Sequence, residues 1–193
     1  MKSMQHSTFY GYDNVFPLRN LEWLDLQVPI NAIRLSGIKP PDWADYKGSQ
    51  VLSFGDEAVE GNEEIVFFTA QIPASYAEGT EVKFHVHWVG EDNTAGNVIW
   101  KFSYSWANVG DAFPGETTET VVAPNGATDV LLEIDVADMA GTDKKIQSML
   151  LCSLRRNSSN VADTLTGKSA YLMQADFHLQ IDTPGSQEEN TKN

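Results

Sequence analysis

The sequence holds a single cysteine, Cys152, in 193 residues. An internal disulfide is therefore excluded, and a chain of this length can bury a full core without one. Cys152 falls in the apolar alternation Ile146, Leu150, Cys152, Leu154, so it is expected to be a buried, inert thiol of a protein assembled in a reducing compartment. No apolar run reaches the ~18 residues a membrane-spanning helix needs. The N-terminal Met1-Lys2-Ser3-Met4-Gln5-His6 carries no apolar stretch, so no signal peptide is expected. Positive charge is also scarce: 13 Lys and Arg stand against 27 Asp and Glu, a formal net charge of −14. Such a surface repels phosphate backbones and anionic lipids, so neither nucleic acid nor membrane is an expected partner. Glycine loops with P-loop spacing and a GxSxG elbow are absent, and with them the simplest routes to phosphoryl transfer and serine hydrolysis. Asn157-Ser158-Ser159 is a glycosylation sequon by letter only.

What is present is strand after strand. Val51–Phe54, Glu64–Ile72, 82–88, 98–106, Thr117–Ala123, Val130–Val136, Ile146–Leu154 and Tyr171–Ile181 are short apolar or alternating runs. Gly, Pro, Asn and Asp punctuate the gaps, at Gly61-Asn62, Gly90–Gly96, Gly110–Gly115, Pro124-Asn125-Gly126 and Asn157–Gly167. Glu64–Ile72 is apolar on both faces and reads as a fully buried strand. Asp135–Ala140 has the composition of a helical turn. Trp100, Phe102, Tyr104 and Trp106 share a face and read as core, while Tyr171, Met173, Ala175, Phe177, Leu179 and Ile181 share another. The pattern predicts an all-β fold: an antiparallel two-sheet jelly-roll sandwich of about eight strands.

Residues 1–45 differ. They carry Pro17, Pro29, Pro40 and Pro41 among scattered apolar residues, with one alternating stretch over Leu24, Leu26, Val28 and Ile30. The segment is too apolar for a solvated linker. It is expected to be an extended N-terminal arm lying in a groove of its own domain or of a neighbour, with Trp23, Leu24, Leu26 and Ile33 as assembly residues. The sandwich then spans 46–182, and 183–193 is a polar C-terminal tail.

One constellation has metal-ligand spacing. His85 and His87 lie two apart on one strand, and Glu91 follows, with Gly79 and Gly96 on either side. Alternate residues share a face, so both imidazoles can approach one ion. The stretch resembles the first cupin motif, although the glycine after Glu91 comes early and the second cupin motif is absent. The remaining distal histidine is His178, with Asp176 on the same strand face. Against a metal, Val82, Phe84, Val86 and Trp88 hold the other face of that strand and have the stronger claim on the core, turning both histidines outward. No cofactor and no catalytic residue is expected; His85, His87, Glu91 and His178 stand as the metal candidates. The loop carboxylates Glu91, Asp92, Asp111, Glu116 and Asp163 read as a solvated acidic rim.

The blocks YKGSQVLSF, EIVFFTAQIPASYAEGTEVKFHVHW, AGNVIWKFSYSWANVGDAFP, IQSMLLCSLRR and YLMQADFHLQIDTPGSQEE, together covering roughly residues 46–190, resemble a group of tailed-bacteriophage virion-associated proteins. The resemblance implies a structural, non-enzymatic virion component assembled in the host cytoplasm. It implies a homotrimeric jelly-roll that decorates the capsid as a cement protein and contacts the major capsid protein or other virion proteins. The alternative is a tail-associated receptor-binding module gripping a host glycan, with Trp88, Trp106 and Phe113 near strand ends as its aromatic contacts. A cupin-like metalloenzyme is the third reading.

Overall fold

In a computed structural model, which describes residues 21–57, 59–186, 188, 191 and 192, the alternating segments become eleven strands. They are β1 (Glu22–Val28), β2 (Arg34–Leu35), β3 (Asp42–Tyr46), β4 (Ser49–Phe54), β5 (Ile65–Gln71), β6 (Val82–Gly90), β7 (Asn97–Ala107), β8 (Thr117–Pro124), β9 (Leu132–Met139), β10 (Met149–Arg156) and β11 (Ala170–Ile181). One sheet runs β3-β4-β11-β6-β9, with β1 also on β11; the other runs β2-β5-β10-β7-β8. Every pairing is antiparallel. The chain is an antiparallel two-sheet jelly-roll sandwich.

The core lies where the inner rows of the two sheets meet. Phe84 of one sheet stacks on Phe102 of the other with ring centroids 3.9 Å apart, and Phe68 and Phe177 pack around them. Trp88, Trp100 and Trp106 are buried in the same cluster. Cys152 is buried as expected, and desolvation pushes its thiol well above the usual range. Trp88 and Trp106 are therefore unavailable as exposed aromatic contacts; of the three strand-end aromatics only Phe113 is exposed.

Three local expectations are corrected. Residues 135–139 continue β9 instead of forming a helical turn, because Leu132, Ile134, Ala137 and Met139 pair with β6 over the core. β5 is buried on one face only, with Phe67, Thr69 and Gln71 exposed, since among the described residues no layer covers that side of its sheet. Tyr171 does not share the face of Phe177: a β-bulge between Leu172 and Gln174 inserts one extra residue and reverses the alternation, so Ala170 and Leu172 point inward and Tyr171 outward.

The described part of the segment expected as an arm forms strands on its own domain. β1 pairs with β11 in register from Glu22↔Ile181 to Val28↔Ala175. Leu26 and Ile33 pack against the core and Val28 is buried in it, while Trp23 and Leu24 are exposed. β2 adds to β5, and β3 to β4 through the two-residue turn Lys47-Gly48, both residues at positive φ as a type I′ hairpin requires. The expected boundary at residue 45 thus falls within β3. Residues 1–20 of the expected arm lie outside the described residues.

The end of the sandwich is stapled from within. The fully buried Arg156 donates two bonds to Asp163, from Nη2 to Oδ1 at 2.7 Å and from Nε to Oδ2 at 3.0 Å. It also donates to the carbonyls of Phe54, Leu165 and Lys168. Asp163, expected on a solvated rim, is instead the buried half of this pair. The fork geometry of guanidinium and carboxylate, with the remaining donors satisfied, makes the buried charges tolerable.

Candidate functional site

Strand alternation turns one row of β6 outward: Lys83, His85, His87 and Val89. The ladders place a matching row beside it on each neighbour. On β11, His178 stands opposite Lys83, Asp176 opposite His85, and Gln174 opposite His87. On β9, Asp135 stands opposite His85 and Glu133 opposite His87. On β1, Trp23, Asp25 and Gln27 stand opposite Gln180, His178 and Asp176. Three of the chain's four histidines thus meet on one outer sheet face, among four carboxylates.

The groups are close and, at the centre, buried. His178 Nε2 lies 2.9 Å from Asp25 Oδ1 and 3.2 Å from Asp176 Oδ2. His87 Nε2 makes a 3.2 Å hydrogen bond with Asp176 Oδ1. The rings of His85 and His178 meet edge to face at 3.8 Å. His85 is only 4% exposed and Asp176 only 3%, although both are on an outer face. Asp135 Oδ1 lies 2.7 Å from His85 Nε2, yet neither ring nitrogen of His85 has a hydrogen-bond partner, so that contact is a close approach out of line with the ring N–H. One donor atom each from His85, Asp176 and His178 lie within 4.8 Å of one another; so do those from His85, Glu133 and Asp135.

Of the four metal candidates, the structure brings together His85, His87 and His178. Glu91 is not among them. It follows the end of β6, roughly 20 Å along the strand from His85 at about 3.3 Å per residue, and accepts from Ser169 N at 3.0 Å and Lys168 Nζ at 3.4 Å. Asp176 takes the carboxylate position instead. Asp25, Glu133 and Asp135 were not legible, because their place depends on strand register.

Aromatic rings border the face. Trp23, 53% exposed, stands at one end beside Asp25 and Gln180. At the other end Tyr171 lies beside Val89, and its ring is 5.8 Å from that of Tyr46. From Tyr171 to Gln180, the residue opposite Trp23, β11 takes nine residue steps, on the order of 30 Å. Tyr46 is held by Asp129, whose Oδ1 accepts its hydroxyl at 3.0 Å while Oδ2 accepts Lys47 Nζ at 2.7 Å. A separate cleft of about 530 Å³ lies on the other sheet, lined by polar groups including Glu63, Lys101, Arg155 and Asn157, and contains none of the histidines.

No family model matches the chain, and no curated protein matches it; neither comparison adds support to the phage resemblance. Similar solved structures include the CBM35 from Cellvibrio japonicus Abf62, at 13% identity and a TM-score of 0.43, covering 89% of this chain and 100% of that one. They also include the CBM22-2 xylan-binding domain from Paenibacillus barcinonensis Xyn10C, at 13% identity and a TM-score of 0.42, covering 80% of this chain and 94% of that one. A carbohydrate-binding module specific for non-crystalline cellulose, CBM28, has 9% identity and a TM-score of 0.41, covering 79% and 89% respectively. At these values the likeness assigns neither a family nor a ligand.

Proposed function

We propose that this protein is a binding module, not an enzyme, and that it holds an extended neutral glycan along the outer face of the six-stranded sheet. The observation that carries this reading is the composition of that one face: exposed or half-buried rings at both ends, Trp23 and the Tyr46–Tyr171 pair, with a continuous polar strip between them. A sugar ring offers an apolar C–H face and a rim of hydroxyls. Flat aromatic side chains suit the first at small entropic cost. Carboxylates, imidazoles and amides suit the second, and Asp25, Gln27, Gln174, Gln180 and His87 supply them here. The net charge of −14 disfavours polyanionic sugars. An open strip with no deep pocket suits a chain better than a monosaccharide. Placement on a phage tail, the alternative that stands beside capsid decoration in the sequence reading, would set this face against a host surface; electron cryo-microscopy of the source particle tests it. The capsid-decoration reading relies on residues 1–45 as a clamping arm, and among the described residues of that segment β1, β2 and β3 pair with this chain's own strands.

The test is affinity electrophoresis of the full chain through gels carrying neutral polysaccharides of differing backbone, together with the host's surface glycans. Retardation by at least one is expected, weakened about tenfold or more by Trp23→Ala or Tyr171→Ala, which corresponds to ~1.4 kcal/mol. Phe113→Ala, on a loop away from the face, should leave it unchanged. Free migration in every gel, or retardation indifferent to Trp23 and Tyr171, overturns the proposal.

A further inference from the structure

The same face holds a second feature, centred on His85, Asp176 and His178; it borders Asp25 and His87 of the glycan reading but does not rest on that reading. His85 is buried on the outside of a sheet with both ring nitrogens lacking a hydrogen bond. Asp135 Oδ1 approaches Nε2 at 2.7 Å but out of line for a hydrogen bond, and burying an imidazole whose nitrogens make no aligned hydrogen bond is costly and calls for an explanation. Charge gives a second argument. Four carboxylates, Asp25, Glu133, Asp135 and Asp176, contact the three imidazoles. Among the described residues no Lys or Arg forms a close ion pair with any of the four; Lys83, whose charge is felt by Asp135, pairs closely with Glu81 and Asp138. Asp176 is buried at the centre of this negative patch.

We propose that His85, Asp176 and His178 bind one divalent transition-metal ion of the zinc, cobalt or nickel type. Two imidazoles and one carboxylate are a donor set such ions accept, at about 2.0–2.2 Å, with neighbouring ligands of a tetrahedral site then roughly 3.4 Å apart. The donors already lie within 4.8 Å of one another, and His178 Nε2 and Asp176 Oδ2 are 3.2 Å apart. Small side-chain rotations close the remaining gap. Asp25, 2.9 Å from His178 Nε2, is placed to supply a fourth oxygen or to hold a bound water. His87 is a positioning residue: its bond to Asp176 Oδ1 leaves Oδ2 turned toward His178. A dication would give a ring nitrogen of His85 the partner it lacks and offset the carboxylate excess in one step. Of the four candidates read from the sequence, the site keeps His85 and His178 as ligands, puts Asp176 in place of Glu91, and leaves His87 outside the ion's ligands.

The test uses the full chain, freed of metal with a chelator and titrated with Co(II), then with Zn(II), by calorimetry and visible absorption. The expected result is one ion per chain, intensified d–d absorption typical of low coordination, and displacement of Co(II) by Zn(II). His178→Gln should abolish the absorption, and His87→Gln should weaken binding about 10- to 100-fold. Because His85→Ala removes a buried ring, His178→Gln and Asp25→Asn, both at partly exposed positions, keep the test independent of folding, which circular dichroism checks. Glu133→Gln decides against the neighbouring group: if it abolishes binding while His178→Gln does not, the ion belongs to Glu133 and Asp135 and the proposal is wrong. Weak binding at several sites, unaffected by His178→Gln, also overturns it, as does Ca(II) binding as tight as Zn(II). Glycan retardation measured with and without Zn(II) keeps the two readings separate: either can fail alone.

Discussion

His178 Nε2 on β11 lies 2.9 Å from the carboxylate of its cross-strand partner Asp25 on β1. The contact ties the front of the chain to its last strand across an open face, but Asp25 is more than half exposed, so water screens the pair. The attachment of β1 rests on Val28 and Leu26 beneath it. In metal-free protein, Asp25→Asn should cost less than about 1 kcal/mol, whereas Val28→Ala should cost about 2 kcal/mol. Urea unfolding of the two variants checks the contrast.

Arg156 and Asp163 make the opposite case. Both are fully buried and bonded twice to each other. Arg156→Met should destabilise by about 3–5 kcal/mol, since it leaves Asp163 as an uncompensated buried charge. Arg156→Met combined with Asp163→Leu should recover part of that loss. A double-mutant cycle by denaturant unfolding measures the coupling.

Gly141 lies against Thr80 so closely that a Cβ there would stand 1.7 Å from the Thr80 carbonyl oxygen and 2.3 Å from the Tyr76 hydroxyl. The Tyr76 hydroxyl donates a very short hydrogen bond to that same carbonyl. Gly141→Ala must displace backbone and break this bond, and should cost about 3 kcal/mol or more. Thermal unfolding of the variant beside Gly115→Ala, where a Cβ meets nothing within 4 Å, isolates the steric cause.

Asp92 gives a pH prediction. The Lys168 ammonium, 2.5 Å away, with Thr94 N donating at 2.8 Å, holds its carboxyl down at about 2. A folded-state value below the unfolded 3.8 means the interaction stabilises above pH 3.8 and is lost as pH falls toward about 2. Carbon-detected NMR titration should place the Asp92 midpoint near 2, and Lys168→Met should move it back toward the ordinary carboxylate range.

How much of this was legible depends on whether the signal is local. Period-2 alternation located the eight strands from β4 to β11, and the Leu24–Ile30 alternation marked β1. β2 and β3 are short and mostly exposed, and so carry no burial pattern to read. Tyr171 was placed on the wrong face because the bulge at Met173 leaves no mark in composition. His85 and His87 could be turned outward by the apolar row of Val82, Phe84, Val86 and Trp88 behind them. Their carboxylate neighbours come from β1, β9 and β11, and which residue stands opposite which is set by ladder register, not by spacing along the chain.

The β1–β11 pairing has a consequence for how the protein is made. Residues 22–28 leave the ribosome well before their partner, which spans Ala175–Ile181. Among the described residues β11 is also the strand that joins β4 to β6 in the sheet. The sandwich therefore cannot close until nearly the whole described chain has been synthesised, and β1 must wait beside an incomplete sheet. Folding should be slow for its size, with the waiting edge as the point where nascent chains aggregate or recruit chaperones.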